Sequence, residues 1–257
     1  MLGQTLFGPV ASLLRGMRQL NLFTARPIAA LPFGAPILEG VPLAMRHSLV
    51  VRTGTVLPEY SDRPSPGSGA LRVLYSGGQG EKPLSGPQVE AQAVLSLYGG
   101  PSGGQIIELR RDMIGPALTP APAILHIAAH SQVREDDLAV FCATRAEDDP
   151  IGMDALFPPS ADLRGTTLVF LSGCDSAGHS GGTSLAAWLH ERDVRHVIAA
   201  HWLVDDAAAT EIAIRTHRAL ASGSEPPGAL AFATRQVYDI VKYSSLRFWV
   251  AFQCYTA

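Results

Sequence analysis

Residues 167–182 read TLVFLSGCDSAGHSGG: an apolar run of strand length ends at Leu171 and gives way to small and polar residues. A second string of the same build, AILHIAAHS, occupies 123–131. Neither run alternates apolar with polar positions. Strands covered on both faces have this composition, so both segments are expected near the middle of a parallel sheet.

Working outward, the flanking chain alternates strand and helix patterns. Upstream lie a strand at Leu71–Tyr75, a helix around Pro87–Tyr98, a strand at Gln105–Leu109 and a short helix near Asp112–Leu118. Downstream, a helix is expected at Thr183–Arg192, a strand at His196–Ala200, helices at Asp206–Ala221 and Pro226–Tyr243, and a closing strand at Leu246–Phe252. Connections this short imply an open α/β fold, a mostly parallel central sheet with helices on both faces. Nearer the N-terminus, Leu6, Phe7, Val10, Leu13, Leu14, Met17 and Leu20 have helical spacing and predict a packed surface helix. Strands follow at Phe23–Ile28 and Ser48–Thr53, separated by the turn-rich stretch Pro32–Pro42. Arg63–Gly69, rich in Pro, Ser and Gly, is the best linker candidate, yet it is short. The expectation is a single domain over 1–257, with an N-terminal portion 1–69 and a core 70–257.

Composition narrows the function classes. Hydrophobic residues make up 47% and charged residues 17% of 257, an ordinary globular balance. The formal net charge is -3 and no Lys/Arg block occurs, so nucleic acid is not the expected partner. No apolar run approaches the roughly 18–20 residues that span a bilayer, so no membrane partner is expected. Gly8-Pro9 and Arg15 break the apolar stretch a signal peptide would need. The cysteines number three, Cys142, Cys174 and Cys254, with no CxxC spacing. Reduced thiols in a cytoplasmic protein are the simplest expectation.

In a sheet of this kind ligands bind outside the carboxyl ends of the strands. His130 directly follows one buried run and Cys174 lies three residues past the other. If the two strands are neighbours, imidazole and thiol converge, and backbone N–H groups nearby would complete the requirements for acyl transfer. Packing is the alternative account of a cysteine at a strand end, and the better one for Cys142 and Cys254. His126 and His130 are four apart, which would chelate a metal on a helix. On a strand their Cα atoms stand roughly 13 Å apart, and no metal or cofactor is predicted. Gly178–Gly182 matches the GxSxG elbow of serine hydrolases, with Ser180 as nucleophile. That elbow needs its serine on the turn directly after a strand, and Cys174 is nearer the strand end.

Four separated strings, LHIAAHS, LVFLSGCDSA, the stretch SGGTSLAAWLHERDVRHVIAAHWLVDDAAATEIAIRTHRAL and the final FWVAF, occur in an order that resembles the CHAT domain, a branch of the caspase–separase group of peptidases. The resemblance extends upstream through Pro32-Phe33, Pro42-Leu43 and LRVLYSGG. It implies a caspase-like three-layer sandwich and a cysteine endopeptidase acting through a thioester. By position, His130 is then the acid/base and Cys174 the nucleophile, and the N–H groups of Ser131 and Cys174 bind the oxyanion. Position 131, where the family usually has glycine, is Ser131, and position 172, where relatives carry an acidic specificity residue, is Ser172. Trp202-Leu203-Val204-Asp205-Asp206 resembles the family's Trp-x-Val-x-Asp string, which makes Trp202 and Asp206 candidate substrate contacts. Asp205 and Asp206 capping the following helix is the competing account. The resemblance also implies a protein or peptide substrate and a regulatory or sensing partner of TPR type, often in bacterial defence. A CHAT-like scaffold without turnover is the alternative from another class.

Overall fold

The structure is a computed structural model that describes residues 2–24, 31–53, 70–77, 86–134, 137–144, 150–173, 179–180, 183–240, 243 and 245–257. Cys174 lies outside the described residues, as do the linker candidate at 63–69 and residues 145–149 and 175–178.

In chain order, helices α1 (Leu2–Phe7) and α2 (Ala11–Leu14) precede strand β1 (Gln19–Thr24), the two-residue strands β2 (Ile37–Leu38) and β3 (Val41–Pro42), helix α3 (Leu43–Arg46) and strand β4 (Ser48–Thr53). Next come β5 (Leu71–Tyr75), α4 (Gly86–Leu97), β6 (Gly104–Glu108), α5 (Arg111–Leu118) and β7 (Ile124–Ala128). A small excursion follows, made of β8 (Ser131–Arg134), β9 (Asp137–Phe141), β10 (Ile151–Gly152) and α6 (Met153–Leu156). The chain returns through β11 (Leu168–Leu171), β12 (His179–Ser180), β13 (Thr183–Ser184), α7 (Leu185–His190) and β14 (His196–Ala200). It ends with α8 (Asp206–Ala221), α9 (Pro226–Tyr238), α10 (Leu246–Trp249) and β15 (Phe252–Thr256).

Eight strands form the central sheet in the order β1-β4-β15-β14-β11-β7-β5-β6. Every neighbouring pair is parallel except β14 with β15. The two apolar runs are central neighbours, paired from Leu168 with Ile124 to Leu171 with Ile127. Their uniform hydrophobicity follows from a core on each side. Leu125, Ile127, Val169, Leu171, Val197 and Ala199 point into one cluster, which α5, α6 and α7 close. Leu168, Phe170, Ile198 and Ala200 point into the other, closed by α8 and α9. Successive side chains leave a strand on opposite faces, so a strand that feeds two cores is apolar almost throughout, with His126 of β7 and His196 of β14 as buried exceptions. The result is the expected mixed α/β sandwich. No helix among the described residues is long and apolar enough to cross a membrane.

Several expected boundaries shift. The helical spacing of Leu6–Leu20 breaks at Gly8-Pro9 and stops at Leu14. Chain 19–24 is strand, paired residue for residue with β4. Half of the presumed buried face is exposed, with Leu13 at 67%. The last long helix ends at Tyr238 rather than Tyr243, and α7 spans six residues because 183–184 is strand. The closing strand is displaced: 246–249 forms a helical turn and the strand begins at Phe252. It enters between β14 and β4, so Cys254 is buried as a core residue. Phe23–Ile28 is strand only to Thr24, and 25–28 lies outside the described residues.

Candidate active site

The parallel register of β7 and β11 brings two strand ends to one place. Beyond Leu171 the ladder runs one residue further, because the Ser172 N–H donates to the Ile127 carbonyl at 2.8 Å. Gly173 then passes against the other strand's exit. A Cβ built at Gly173 would lie 2.7 Å from the Ala129 carbonyl oxygen and closer still to Ser131 Oγ. Only a residue without a side chain permits that approach. Gly173 is thus packed against both neighbours of His130.

A narrow cleft, with about 20 Å³ of space for water inside it, opens at this edge. His130, Ser172 and Gly173 line one side of it; Glu90, Asp206 and Thr210 line another. His130 is half-buried, and its carbonyl accepts from the Cys142 N–H at 2.8 Å. That bond makes 130 and 142 a hydrogen-bonded pair of the antiparallel β8–β9 ladder. Ser131 and Phe141 are then the adjoining pair, in which the amides turn away from the partner strand. Ser131 lies in regular strand, and Glu39 and Asp193 are the non-glycine residues with positive φ among those described. A glycine-only backbone angle is therefore not required at 131.

The two aspartates before α8 have separate jobs. Asp205 is the N-cap: its carboxylate accepts from the Ala208 N–H at 3.1 Å. Asp206 lines the cleft instead, with its Cβ 3.8 Å from the Cβ position of Gly86, the first residue of α4. Two helix N-termini meet at Asp206, and both favour negative charge there. Trp202 is outside the cleft lining. Its indole N–H donates to the Arg247 carbonyl at 3.0 Å and its ring stacks on His201.

The family model for the CHAT domain matches residues 1–257. The chain belongs to the CHAT domain family. The CHAT domain is a caspase-like protease-family domain, and this one carries its cleft at the carboxyl edge of the two central strands. No curated protein matches the chain.

Two sequence candidates read differently in the CHAT domain's three dimensions. His126 is fully buried and enters the face covered by α4 and α8. Both of its ring nitrogens are taken by protein partners. Ser180 sits in β12, paired with Thr183 of β13 in a two-stranded ladder, with helix α7 starting only at Leu185. A serine within a small hairpin is not on the strand-to-helix turn that an elbow requires.

Sequence reasoning missed the floor of the cleft. Glu90 is 3% exposed, and its carboxylate is held on both oxygens. His126 Nε2 bonds Oε1 at 2.8 Å, and the Thr210 hydroxyl donates to Oε2 at 3.0 Å. Behind His126, its Nδ1 meets His217 Nε2 at 3.0 Å, and Tyr98 Oη meets His217 Nδ1 at 3.0 Å. Burial, then the neighbouring His126, holds His217 well below the usual histidine range, so it is neutral. Burial raises the Tyr98 phenol, which stays protonated and can donate. A signal for this network was present: Glu90 and His217 each occupy the buried stripe of a helix, beside Ala91 and Val94 in α4 and Ile212 and Ala213 in α8. Ionisable residues on such stripes need partners.

Proposed function

We propose that this CHAT domain is a cysteine endopeptidase with Cys174 as nucleophile and His130 as acid/base. The observation that carries the reading is the close passage of Gly173 against Ala129 and Ser131. It brings Gly173 to the edge that carries His130, and both line the same cleft. The Cys174 thiolate attacks the peptide carbonyl carbon, and the carbonyl electron pair moves onto oxygen. The N–H groups of Ser131 and Cys174 hold that oxyanion, an assignment supported by the turn of the Ser131 amide away from β9. The oxyanion collapses, the C–N bond breaks, and His130 gives its proton to the departing amine. Water then cleaves the thioester, with His130 accepting the water's proton and the thiolate leaving.

Of the two candidate substrate contacts, Asp206 lines the cleft and is the one we assign to the substrate side chain. Trp202 is assigned to support of the chain before α8, through its bond to Arg247. The wider reading places the enzyme in the reducing cytoplasm, where thiols such as Cys142 and Cys254 stay reduced, under control of a regulatory partner and in a defence role. Retention of cleft geometry without turnover, as in a scaffold module, is the competing reading.

A thiol-reactive peptidyl probe separates the readings. The enzyme reading expects labelling of the wild-type chain, with the partner supplied where one is needed, and its loss in Cys174→Ala. Labelling that survives Cys174→Ala sinks it. A fluorophosphonate adduct lost in Ser180→Ala would instead establish the serine hydrolase.

A further inference from the structure

We propose that the cavity between α2, the start of β4 and the end of α9 is a second ligand site, which takes a small molecule of nucleotide size bearing a phosphate or diphosphate group. Its lining has no residue in common with that of the cleft. The proposal therefore stands whether or not the chain is a peptidase.

The cavity has about 470 Å³ of space for water inside it, within the range of small-molecule sites and far above the cleft. Arg15, Arg18, Arg46 and Arg235 line it, and none of its described lining residues is acidic. The arginines come from the loop after α2, the end of α3 and the last turn of α9, so no basic block shows in the sequence. Glu39 fixes two of them. Its Oε1 accepts from Arg15 at 2.6 Å and its Oε2 from Arg46 at 3.0 Å. Glu39 shares the two-residue turn between β2 and β3 with Gly40, at a positive φ of 51° that a long side chain seldom adopts. The loop that carries Arg15 and Arg18 is fastened from below as well. His47 Nδ1 donates to the Met17 carbonyl at 2.8 Å, and the Ser48 N–H donates to the Arg18 carbonyl at 2.8 Å.

Arg18 and Arg235 are left over. Neither guanidinium has a carboxylate partner among the described residues, and Arg235 Nε is buried with no hydrogen-bond partner there. The dipole of α9 favours a cation in its last turn, but it gives that N–H nothing to bind. A guanidinium carries its charge at every pH a protein meets, and a buried donor on it favours a ligand that brings acceptors. Phosphate brings several oxygens on one centre, which guanidinium groups meet with paired, parallel bonds. An acidic peptide would spread its carboxylates at about 3.3 Å per residue and to alternate sides. Here the four charges converge on one volume instead. Leu14 and Leu38 line the same volume and offer apolar surface to the rest of the ligand.

The test is binding, without turnover. Calorimetry on the full chain compares ADP, adenosine and pyrophosphate. ADP is expected to bind at least about tenfold more tightly than adenosine, and pyrophosphate to displace it. Arg18→Ala, at an exposed side chain, is expected to weaken ADP by about tenfold and to leave the urea midpoint unchanged. Arg235→Gln should weaken ADP at least as much, and Arg18→Ala carries the test if that variant does not fold. Equal affinity for ADP and adenosine overturns the proposal, as does ADP binding that neither substitution weakens. A tetraglutamate peptide that binds as tightly as ADP overturns it too, since the cavity would then be a groove for an acidic chain. An active peptidase that does not bind ADP would sink this proposal alone. ADP binding in a chain that never turns over would sink the peptidase alone.

Discussion

Leu125 and His126 are adjacent on β7, and their side chains leave the strand in opposite directions. Leu125 enters the apolar cluster under α5 and α7. His126 enters the face under α4 and α8, where it links Glu90 to His217. The first face is filled with Leu, Ile, Val and Phe. The second, apolar elsewhere, is threaded by a line of polar groups directly behind the cleft. One strand thus serves two purposes: packing on one side fixes where its end sits, and polar contacts on the other hold Glu90 in place at the cleft floor.

The difference can be broken residue by residue. The largest effect is expected from His126→Ala, which strips a buried carboxylate of its main donor. A loss of about 3–5 kcal/mol is expected in urea denaturation, together with a changed ligand preference in the cleft. Next comes Leu125→Ala, at about 2–5 kcal/mol from the lost burial and the cavity left behind. The variant that folds should keep its cleft chemistry. If Leu125→Ala altered ligand preference as much as His126→Ala, the division between the faces would fail.

Acid should test the buried rings. Burial depresses His196 to about 3, with Arg195 adding to the effect, and its Nδ1 lies 3.0 Å from the Thr256 hydroxyl. Burial also depresses His217 and His190. A ring whose folded value lies below its unfolded one takes up protons more readily when unfolded. Stability is therefore present above the usual histidine range and falls as pH drops from near 6.5 toward 3. The slope reaches about 1.4 kcal/mol per pH unit for such a ring. His196→Gln should flatten the fall of the urea midpoint between pH 7 and pH 5. An unchanged fall would place the acid sensitivity elsewhere. The smallest effect is expected from Asp205→Ala, about 1 kcal/mol for the lost cap, with the cleft's ligand preference kept because Asp206 lines the cleft.

Much of the frame was legible in the sequence. Ser48–Thr53, Leu71–Tyr75, His196–Ala200 and Asp206–Ala221 lie where their patterns put them, because each has one clean period and a sharp border. Met17 and Leu20 happened to continue a helical spacing across the true break, so the start of β1 was obscured. The β8–β9–β10 sheet and the position of β15 depend on which strand lies beside which, and local pattern does not carry that. The cleft lining divided in the same way. His130 and Asp206, which line the cleft, stood out because each lies in a motif that follows a buried strand. Glu90, Tyr98 and His217 were missed because a buried network is assembled from three helix-borne residues or their neighbours, far apart in sequence.

The central claim is that Cys174 is activated by His130. Timed alkylation with iodoacetamide, mapped to each cysteine by mass spectrometry, tests it most directly. Cys254 is the internal reference, since burial pushes its thiol up to about 12 and should keep it inert. The account predicts that Cys174 reacts at least about tenfold faster than Cys142 and that His130→Ala removes this advantage. A Cys174 rate that His130→Ala leaves unchanged would contradict it.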